Sequence, residues 1–274
     1  MSIVWFDQDV SSQTVGGKGL RLCRLAKAGF PVPPGFCVPV EHMDHITTKD
    51  IQCALERLDN RAVAVRSSAV EEDAAAASFA GVYLTRLNVN TPEAILQALR
   101  DIRESAFTPA ALAYRQRCGI HGTPQMAAVV QKFLMPDVSG VLFLRDPVDN
   151  SERIIIEGSW GLGESVVAGT VTPDRWVLSR DGALISCEVS DKDIAIVAAD
   201  TGTKAIEIDP HRRRIPCIGE TSIRELVELA WACESLFGRP QDIEWAIAES
   251  RVWLLQSRPI TCRRENSGTV HQIS

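Results

Sequence analysis

The sequence predicts an α+β protein with antiparallel sheets, because helical and strand-like apolar patterns are mixed along it without strict strand–helix–strand alternation. Residues 92–105 carry their apolar side chains on one helical stripe. Short apolar runs bounded by turn-forming residues indicate strands, and the last two, 242–248 and 252–256, are close enough to form a hairpin. We therefore expect helices packed on sheets whose neighbouring strands run in opposite directions.

The other predicted elements are two helices and five strands. A first helix begins at about Gly17 and ends near Ala28, because Gly29 stops it. A later helix, 222–237, opens with a Ser and a Glu at capping-box spacing and stops at Gly238. Further strands are expected at 62–66, 126–133, 139–144, 153–157 and 175–179.

The composition limits the class of protein. The chain has 274 residues, of which 45% are hydrophobic and 23% charged, as is typical of a soluble globular protein. A net charge of −6 and the lack of a basic stripe argue against nucleic acid as a partner.

No apolar run reaches the ~18 residues of a membrane span, and Asp7 and Asp9 stand where a signal peptide would be apolar. None of the eight cysteines forms a C-x-x-C pair, so we expect free thiols in a cytoplasmic protein.

The segment VGGKG (15–19) is a candidate phosphate-binding turn. Two glycines precede Lys18 at the expected start of the first helix. Backbone amides at a helix start attract anions, and the lysine would add a positive charge for phosphate. The Walker A pattern is not met, because Gly19 rather than Ser or Thr follows the lysine. A plain helix-start turn is the alternative.

A second candidate lies at 65–81, where Arg66 leaves a predicted strand and enters a segment of small residues. Arg66 could hold phosphate oxygens bidentately. The backbone amides of Ala80 and Gly81 could donate to a phosphate chain that the segment covers. The alanine run alone would equally suit a short exposed helix or a loop.

The glycine-rich segment EGSWGLGESVV (157–167) has three glycines in six residues before an apolar run. It does not match a dinucleotide-binding fingerprint, because Val166 stands where the third glycine would be. A structural turn and a ligand-binding loop both remain open for it.

The C-terminal hairpin is the most informative segment. If its loop has three residues, 249–251, then Glu244 and Gln256 are direct cross-strand neighbours. Their side-chain oxygens, together with phosphate and water, would suit Mg²⁺. Arg258 follows two residues later and could contact a charged ligand. A two-residue loop would instead put Leu255 opposite Glu244, and an edge hairpin with solvated polar side chains is the alternative.

Taken together, these segments resemble the N-terminal nucleotide-binding domain of the pyruvate phosphate dikinase and phosphoenolpyruvate synthase family. Rifampin phosphotransferase has a similar domain. The matching strings occur in family order and cover residues ~15 to 261: VGGKGLRLCRLAKAGFPVPPGF, VRSSAVEED, SFAG, VVQKF, SGVLFLRDP, EGSWGLGESVVAG, PDRW, PQDIEWAI and LLQSRPIT. Each string alone is weak, but the ordered set is highly specific.

The resemblance implies an ATP-grasp fold, in which two α+β lobes with mixed or antiparallel sheets clamp ATP. We expect the lobes at 1–122 and 123–262, the second with the metal-binding hairpin, and a flexible tail at 263–274. ATP and Mg²⁺ are the cofactors that the resemblance implies.

The resemblance also implies roles for individual residues at the phosphates. The residues expected around the phosphates are Lys18, Arg66, Ser78, Ala80, Gly81 and Arg258. Of these, Lys18, Arg66 and Arg258 would be catalytic, and the loop that contains Gly81 would cover the phosphates.

By the same resemblance, Gln131 and Phe133 would lie on the hinge strand beside adenine, and Glu244 and Gln256 would bind Mg²⁺. Full-length relatives continue into a swivelling domain with a phospho-accepting histidine, and no such motif is present here. We therefore expect transfer of a phosphoryl or pyrophosphoryl group from ATP to a histidine on a separate partner protein. The alternatives are a free-standing small-molecule kinase and a non-catalytic ATP-binding regulatory module.

Overall fold

The computed structural model describes residues 2–73, 83–167 and 169–260, and two large sheets organise them. The first sheet has the strand order β1-β2-β5-β3-β4. Its strands are β1 (Val4–Trp5), β2 (Gly35–Val38), β3 (Val63–Ala69), β4 (Thr85–Val89) and β5 (Met126–Lys132). The strands predicted at 62–66 and 126–133 are therefore present, and β3 runs further than expected.

Helices cover both faces of the first sheet. Helices α2 (Thr48–Arg57) and α3 (Pro92–Ser105) bury their apolar stripes against one face. The bounds of α3 are those predicted, because Thr91 caps its first turn and accepts a hydrogen bond from the amide of Ala94 at 3.2 Å. The next helix is α4 (Pro109–Arg117).

The opposite face is covered by α1 (Ser12–Lys27), whose Leu22 packs with Val129 of β5. Its first turn is interrupted at Gly16, where φ is 71° and ψ is 175°. The regular helix therefore begins at Gly17, as the sequence predicted. Leu25 of the same helix belongs to the core of the second sheet, so α1 packs against both sheets.

The second sheet has the strand order β13-β12-β6-β7-β8-β9. Its strands are β6 (Val138–Phe143), β7 (Ile154–Trp160), β8 (Asp174–Leu178), β9 (Leu184–Glu188), β12 (Gln241–Ala248) and β13 (Arg251–Pro259). A separate hairpin is formed by β10 (Ile194–Ala198) and β11 (Thr203–Glu207). The remaining helices are α5 (Glu164–Val167), α6 (Pro210–Arg213) and α7 (Glu220–Phe237).

Helix α7 packs on the second sheet and buries Ala230 against a core that includes Trp245. It begins two residues earlier than predicted, and the predicted capping box at Ser222 is wrong. Gly219 is already extended and serves as the N-cap without a side-chain bond, so Ser222 falls inside the first turn. The predicted stop is confirmed, because Gly238 is left-handed with φ 71°.

The predicted α+β class is confirmed, since the strand pairings within both large sheets are antiparallel. Strand β5 lies in the middle of the first sheet, between β2 and β3. A division by sheet membership therefore falls after Lys132 rather than after 122. The expected tail at 263–274 lies outside the described residues.

The cysteines and the helices of the described part of the chain have the following properties. All of its cysteines are free thiols, and four of them are buried. None of its helices combines the length and the apolar character that a bilayer span requires.

Candidate functional site

A cleft of about 730 Å³ lies between the two sheets and is lined by residues of both. Its volume is within the range of nucleotide-sized ligand sites. The predicted site residues in its lining are Lys18, Arg66, Gln131, Phe133, Glu244, Gln256 and Arg258. Ser78, Ala80 and Gly81 lie outside the described residues, so their predicted roles stay predictions.

The VGGKG turn reaches the cleft because α1 changes direction at Gly16. The positive φ of 71° at this residue strongly favours glycine, and a side chain there would overlap the carbonyl oxygen of Ser68. The turn therefore lies directly against β3. Gly17 and Lys18 follow at the start of the regular helix, and both line the cleft.

Arg66 and Glu244 approach each other across the cleft from different sheets. Nη1 of Arg66 lies 3.0 Å from Oε2 of Glu244, and the two side chains are 12% and 21% exposed. Nε of Arg66 is buried and donates to no acceptor among the described residues. A buried guanidinium donor without an acceptor is costly, so an anion entering the cleft would gain a hydrogen bond there.

The hairpin of β12 and β13 has a two-residue turn, which is the alternative to the three-residue loop from which the predicted pairing was derived. Glu249 and Ser250 have φ values of 54° and 58°, as a tight turn matched to the twist of the strands requires. The register nevertheless pairs Glu244 with Gln256, because it shifts by one residue beside Glu244. Leu255 is the extra residue of this bulge. The predicted cross-strand neighbours are therefore present for a different reason.

Arg258 is held by a residue that the sequence analysis missed. Asp242 lies directly opposite Arg258 in the hairpin, and its Oδ2 accepts a hydrogen bond from Nε of Arg258 at 2.6 Å. Burial raises the pKa of Asp242, Arg258 opposes the rise, and Glu244 adds to it. The predicted pairing of Glu244 with Gln256 already implied this contact, because Asp242 lies two residues before Glu244 and Arg258 lies two residues after Gln256.

Glu244 and Gln256 provide oxygens that fit Mg²⁺. Both line the cleft from adjacent strands, and Gln256 is only 6% exposed. Mg²⁺ in nucleotide sites is usually bound by one or two protein oxygens together with phosphates and water. Within the described residues there is no cluster of three His, Cys, Asp or Glu side chains that could hold a metal alone. The side-chain oxygens of Glu244 and Gln256 therefore fit a metal ion whose other ligands are phosphate oxygens and water.

The connection between the two sheets forms another wall of the cleft. It begins at Phe133, whose amide donates to the carbonyl of Ala62 at 2.8 Å. Leu134 and Pro136 of the same connection also line the cleft. Gln131 precedes it on β5 and is almost fully buried, with Nε2 donating to the carbonyl of Pro33 at 3.4 Å. This apolar wall with a buried amide could accommodate a flat heterocycle.

The glycine-rich segment 157–167 also contributes to the cleft. The structure agrees in part with each of the two interpretations left open for it, a structural turn and a ligand-binding loop. Leu162, Gly163 and Glu164 line the cleft. Gly161 has a φ of 77°, and a side chain there would overlap the carbonyl oxygen of Ile196. The segment is therefore a structural turn that also contributes a wall.

The β10–β11 hairpin closes one side of the cleft and was not foreseen from the sequence. Ile196 and Thr203 line the cleft. Nδ2 of Asn88, at the end of β4, donates to the carbonyls of Ala199 at 2.7 Å and Gly202 at 3.0 Å. A hairpin that lies between β9 and β12 of the second sheet in the chain is thus fastened to the first sheet.

The family model for the pyruvate phosphate dikinase AMP/ATP-binding domain matches residues 47–273. The chain belongs to this family. Two sheets with a cleft between them are the arrangement that the resemblance to the ATP-grasp fold implied. The chain is therefore an ATP-binding domain of the pyruvate phosphate dikinase type.

Curated relatives extend the similarity to the segment that contains Lys18. The chain is 33% identical to an uncharacterized phosphotransferase, YvkC, of Bacillus subtilis, over 95% of this chain and 35% of that protein. It is 36% identical to a probable phosphoenolpyruvate synthase of Methanothermobacter thermautotrophicus, over 90% of this chain and 44% of that protein. It is also 36% identical to the rifampicin phosphotransferase of Streptomyces sviceus, over 90% of this chain and 34% of that protein. The chain thus spans less than half the length of each of these relatives.

Proposed function

We propose that this pyruvate phosphate dikinase-type domain transfers a phosphoryl or pyrophosphoryl group from ATP, with Mg²⁺, to a histidine on a partner protein. The observation that carries the proposal is the meeting of two kinds of side chain in one cleft. Lys18, Arg66 and Arg258 are cationic, while Glu244 and Gln256 offer oxygens. Phosphoryl transfer depends mainly on positioning the phosphates and neutralising their charge, and this set could do both.

The cleft residues would act on the phosphates by exchanging partners. In the structure, Arg66 is paired with Glu244, and Arg258 is paired with Asp242. A phosphate chain would draw Arg66 away from Glu244 and so leave that carboxylate available to a metal. Mg²⁺ held by Glu244 and Gln256 would neutralise phosphate charge as the transferred group moves. Lys18, at the start of the regular part of α1, would bind a phosphate oxygen as a point charge.

Two observations support an acceptor that comes from outside the cleft. Among the described residues, the cleft lining includes no histidine. The chain also spans only 34–44% of the three relatives named above, and the resemblance assigns the phospho-accepting histidine to a domain beyond the matched part.

Free thiols and the use of ATP support a cytoplasmic location.

The test is to incubate the purified chain with Mg-ATP, with and without phosphohistidine-domain proteins, and to separate the nucleotide products by chromatography. AMP that forms only with a histidine-domain partner supports the proposal. ADP that forms only with a small-molecule acceptor would replace it with a free-standing kinase. ATP binding without turnover under any of these conditions would replace it with a regulatory module.

A pair of matched variants tests whether formation of the nucleotide product depends on a residue of the cleft. Lys18→Met should abolish most turnover, because it removes a phosphate-binding charge at the start of α1. Lys49→Met removes an exposed lysine of α2 that does not line the cleft, and this variant should behave like the wild type. Equal turnover by both variants would contradict the assigned role of Lys18.

A further inference from the structure

Ser68 joins the phosphate-binding turn to the strand that carries Arg66. Its Oγ accepts a hydrogen bond from the amide of Gly19 at 2.9 Å and donates to the carbonyl of Val15 at 2.7 Å. The serine is completely buried, so water does not compete for either bond. One hydroxyl thus bonds the backbone on both sides of Lys18.

This arrangement supplies a cap that the turn itself lacks. The regular part of α1 begins after the kink at Gly16, and glycine has no side chain that could accept from the first amides of the helix. Gly19 is the third residue of that regular part. The hydroxyl of Ser68 therefore takes the place of an N-cap side chain, although it comes from β3.

The same serine determines the spacing of two cationic side chains. Ser68 lies two residues after Arg66, and alternate residues of a strand share one face. Lys18 lies between the two backbone groups that Ser68 binds, and both Lys18 and Arg66 line the cleft. The position of Lys18 relative to Arg66 therefore depends on the two hydrogen bonds of Ser68.

We propose that Ser68 is a positioning residue that holds Lys18 at the phosphates of bound ATP. Ser68 does not line the cleft, so it would act through the turn and not by touching the nucleotide. The proposal rests on the proposed ATP site. It names a residue that the phosphate-binding pattern of the sequence does not include.

The test is a double-mutant cycle on nucleotide binding with the full chain. Affinities for ATP and for adenosine are measured by calorimetry for the wild type, Ser68→Ala, Lys18→Met and the double variant. Ser68→Ala should weaken ATP binding by about tenfold, since a displaced Lys18 would lose most of its charged hydrogen bond to a phosphate oxygen. Adenosine binding should stay within about twofold, because adenosine has no phosphate for Lys18 to bind. In the Lys18→Met background, Ser68→Ala should weaken ATP binding no further.

Ser159→Ala is the matched control. Ser159 is equally buried on a strand, but its hydroxyl makes no hydrogen bond to a described residue, and it does not line the cleft. It should bind ATP like the wild type. Ser68→Cys keeps nearly the same size with a much weaker hydrogen bond, so it provides the same test if Ser68→Ala does not fold.

The outcomes separate this proposal from the proposed function. A wild-type chain that fails to bind ATP would overturn the ATP site and this inference with it. If the wild type binds ATP but folded Ser68 variants bind it equally well, only the inference is overturned. Equal losses for ATP and adenosine, or the same loss with and without Lys18, would make Ser68 merely structural and would also overturn it.

Discussion

Arg66 and Glu244 form a 3.0 Å ion pair across the cleft, although they lie 178 positions apart in the chain. Arg66 comes from β3 of the first sheet and Glu244 from β12 of the second. The two side chains balance each other's charge, and a bound phosphate chain would compete with Glu244 for the guanidinium. Nucleotide and metal binding are therefore expected to be coupled through this pair.

Glu244→Gln tests that coupling. The variant frees Arg66 and removes a negative charge, so with the metal chelated ATP should bind about tenfold more tightly, as charged hydrogen bonds contribute roughly 1.5–3 kcal/mol. The strengthening of ATP binding by Mg²⁺ should be largely lost. Titration calorimetry with Mg²⁺ and with chelator measures both effects. Glu249→Gln, which removes an exposed carboxylate from the nearby turn, is the control, and an unchanged Mg²⁺ effect in Glu244→Gln would contradict the metal role.

Gly16→Ala tests the close approach of α1 to β3. The new side chain would overlap the carbonyl oxygen of Ser68, and the positive φ would add strain, so we expect a loss of about 3 kcal/mol in the free energy of unfolding. Gly29→Ala is the matched control, because Gly29 also has a positive φ, of 81°, but has no neighbouring atom within 4 Å of the new side chain. It should lose only about 1 kcal/mol. Denaturant unfolding measures both, and equal losses would show that contact with Ser68 is not the cause.

Asn88→Gly tests the fastening of the β10–β11 hairpin. Glycine tolerates the positive φ of 54° at this position, so the variant removes the two side-chain donors without adding backbone strain. Hydrogen exchange of amides at 194–207 should become faster, by about tenfold for a loss of roughly 1.4 kcal/mol. Asn90→Ala removes a single exposed bond to Asp200 and should have a smaller effect. Unchanged exchange in Asn88→Gly would mean that the side chain of Asn88 does not hold the hairpin.

Glu157→Gln tests the charge environment next to the cleft strands. Burial raises the pKa of Glu157, Arg175 opposes the rise, and Asp146 adds to it. The folded state therefore binds this proton more tightly than the unfolded state, so the contribution to stability falls as the pH rises from about 4.5 through the raised pKa. Glutamine has no such proton, so the stability of Glu157→Gln relative to the wild type should improve over that pH range. Thermal unfolding at several pH values measures this difference, and a constant difference would disprove it.

The β12–β13 hairpin shows how much of the site the sequence could predict. The sequence predicted the two strands and placed Glu244 opposite Gln256, but this pairing was derived from a three-residue loop. The structure has a two-residue turn and a bulge at Leu255, and the two differences cancel at Glu244. Turn length and bulge depend on the twist and packing of the whole sheet, so local residue types do not determine them.

The sequence by itself determined the helix at 92–105, the strand at 126–133, the two strands of the C-terminal hairpin and the fold class. It also singled out Lys18, Arg66, Glu244 and Arg258, which line the cleft. Those features follow from local periodicity and from motifs that are contiguous in the chain. Only the tertiary structure decided that Ser68 caps the Lys18 turn and that the β10–β11 hairpin is fastened to Asn88. These contacts join segments 49 and 111 positions apart, and such contacts form only when sheets and helices pack together.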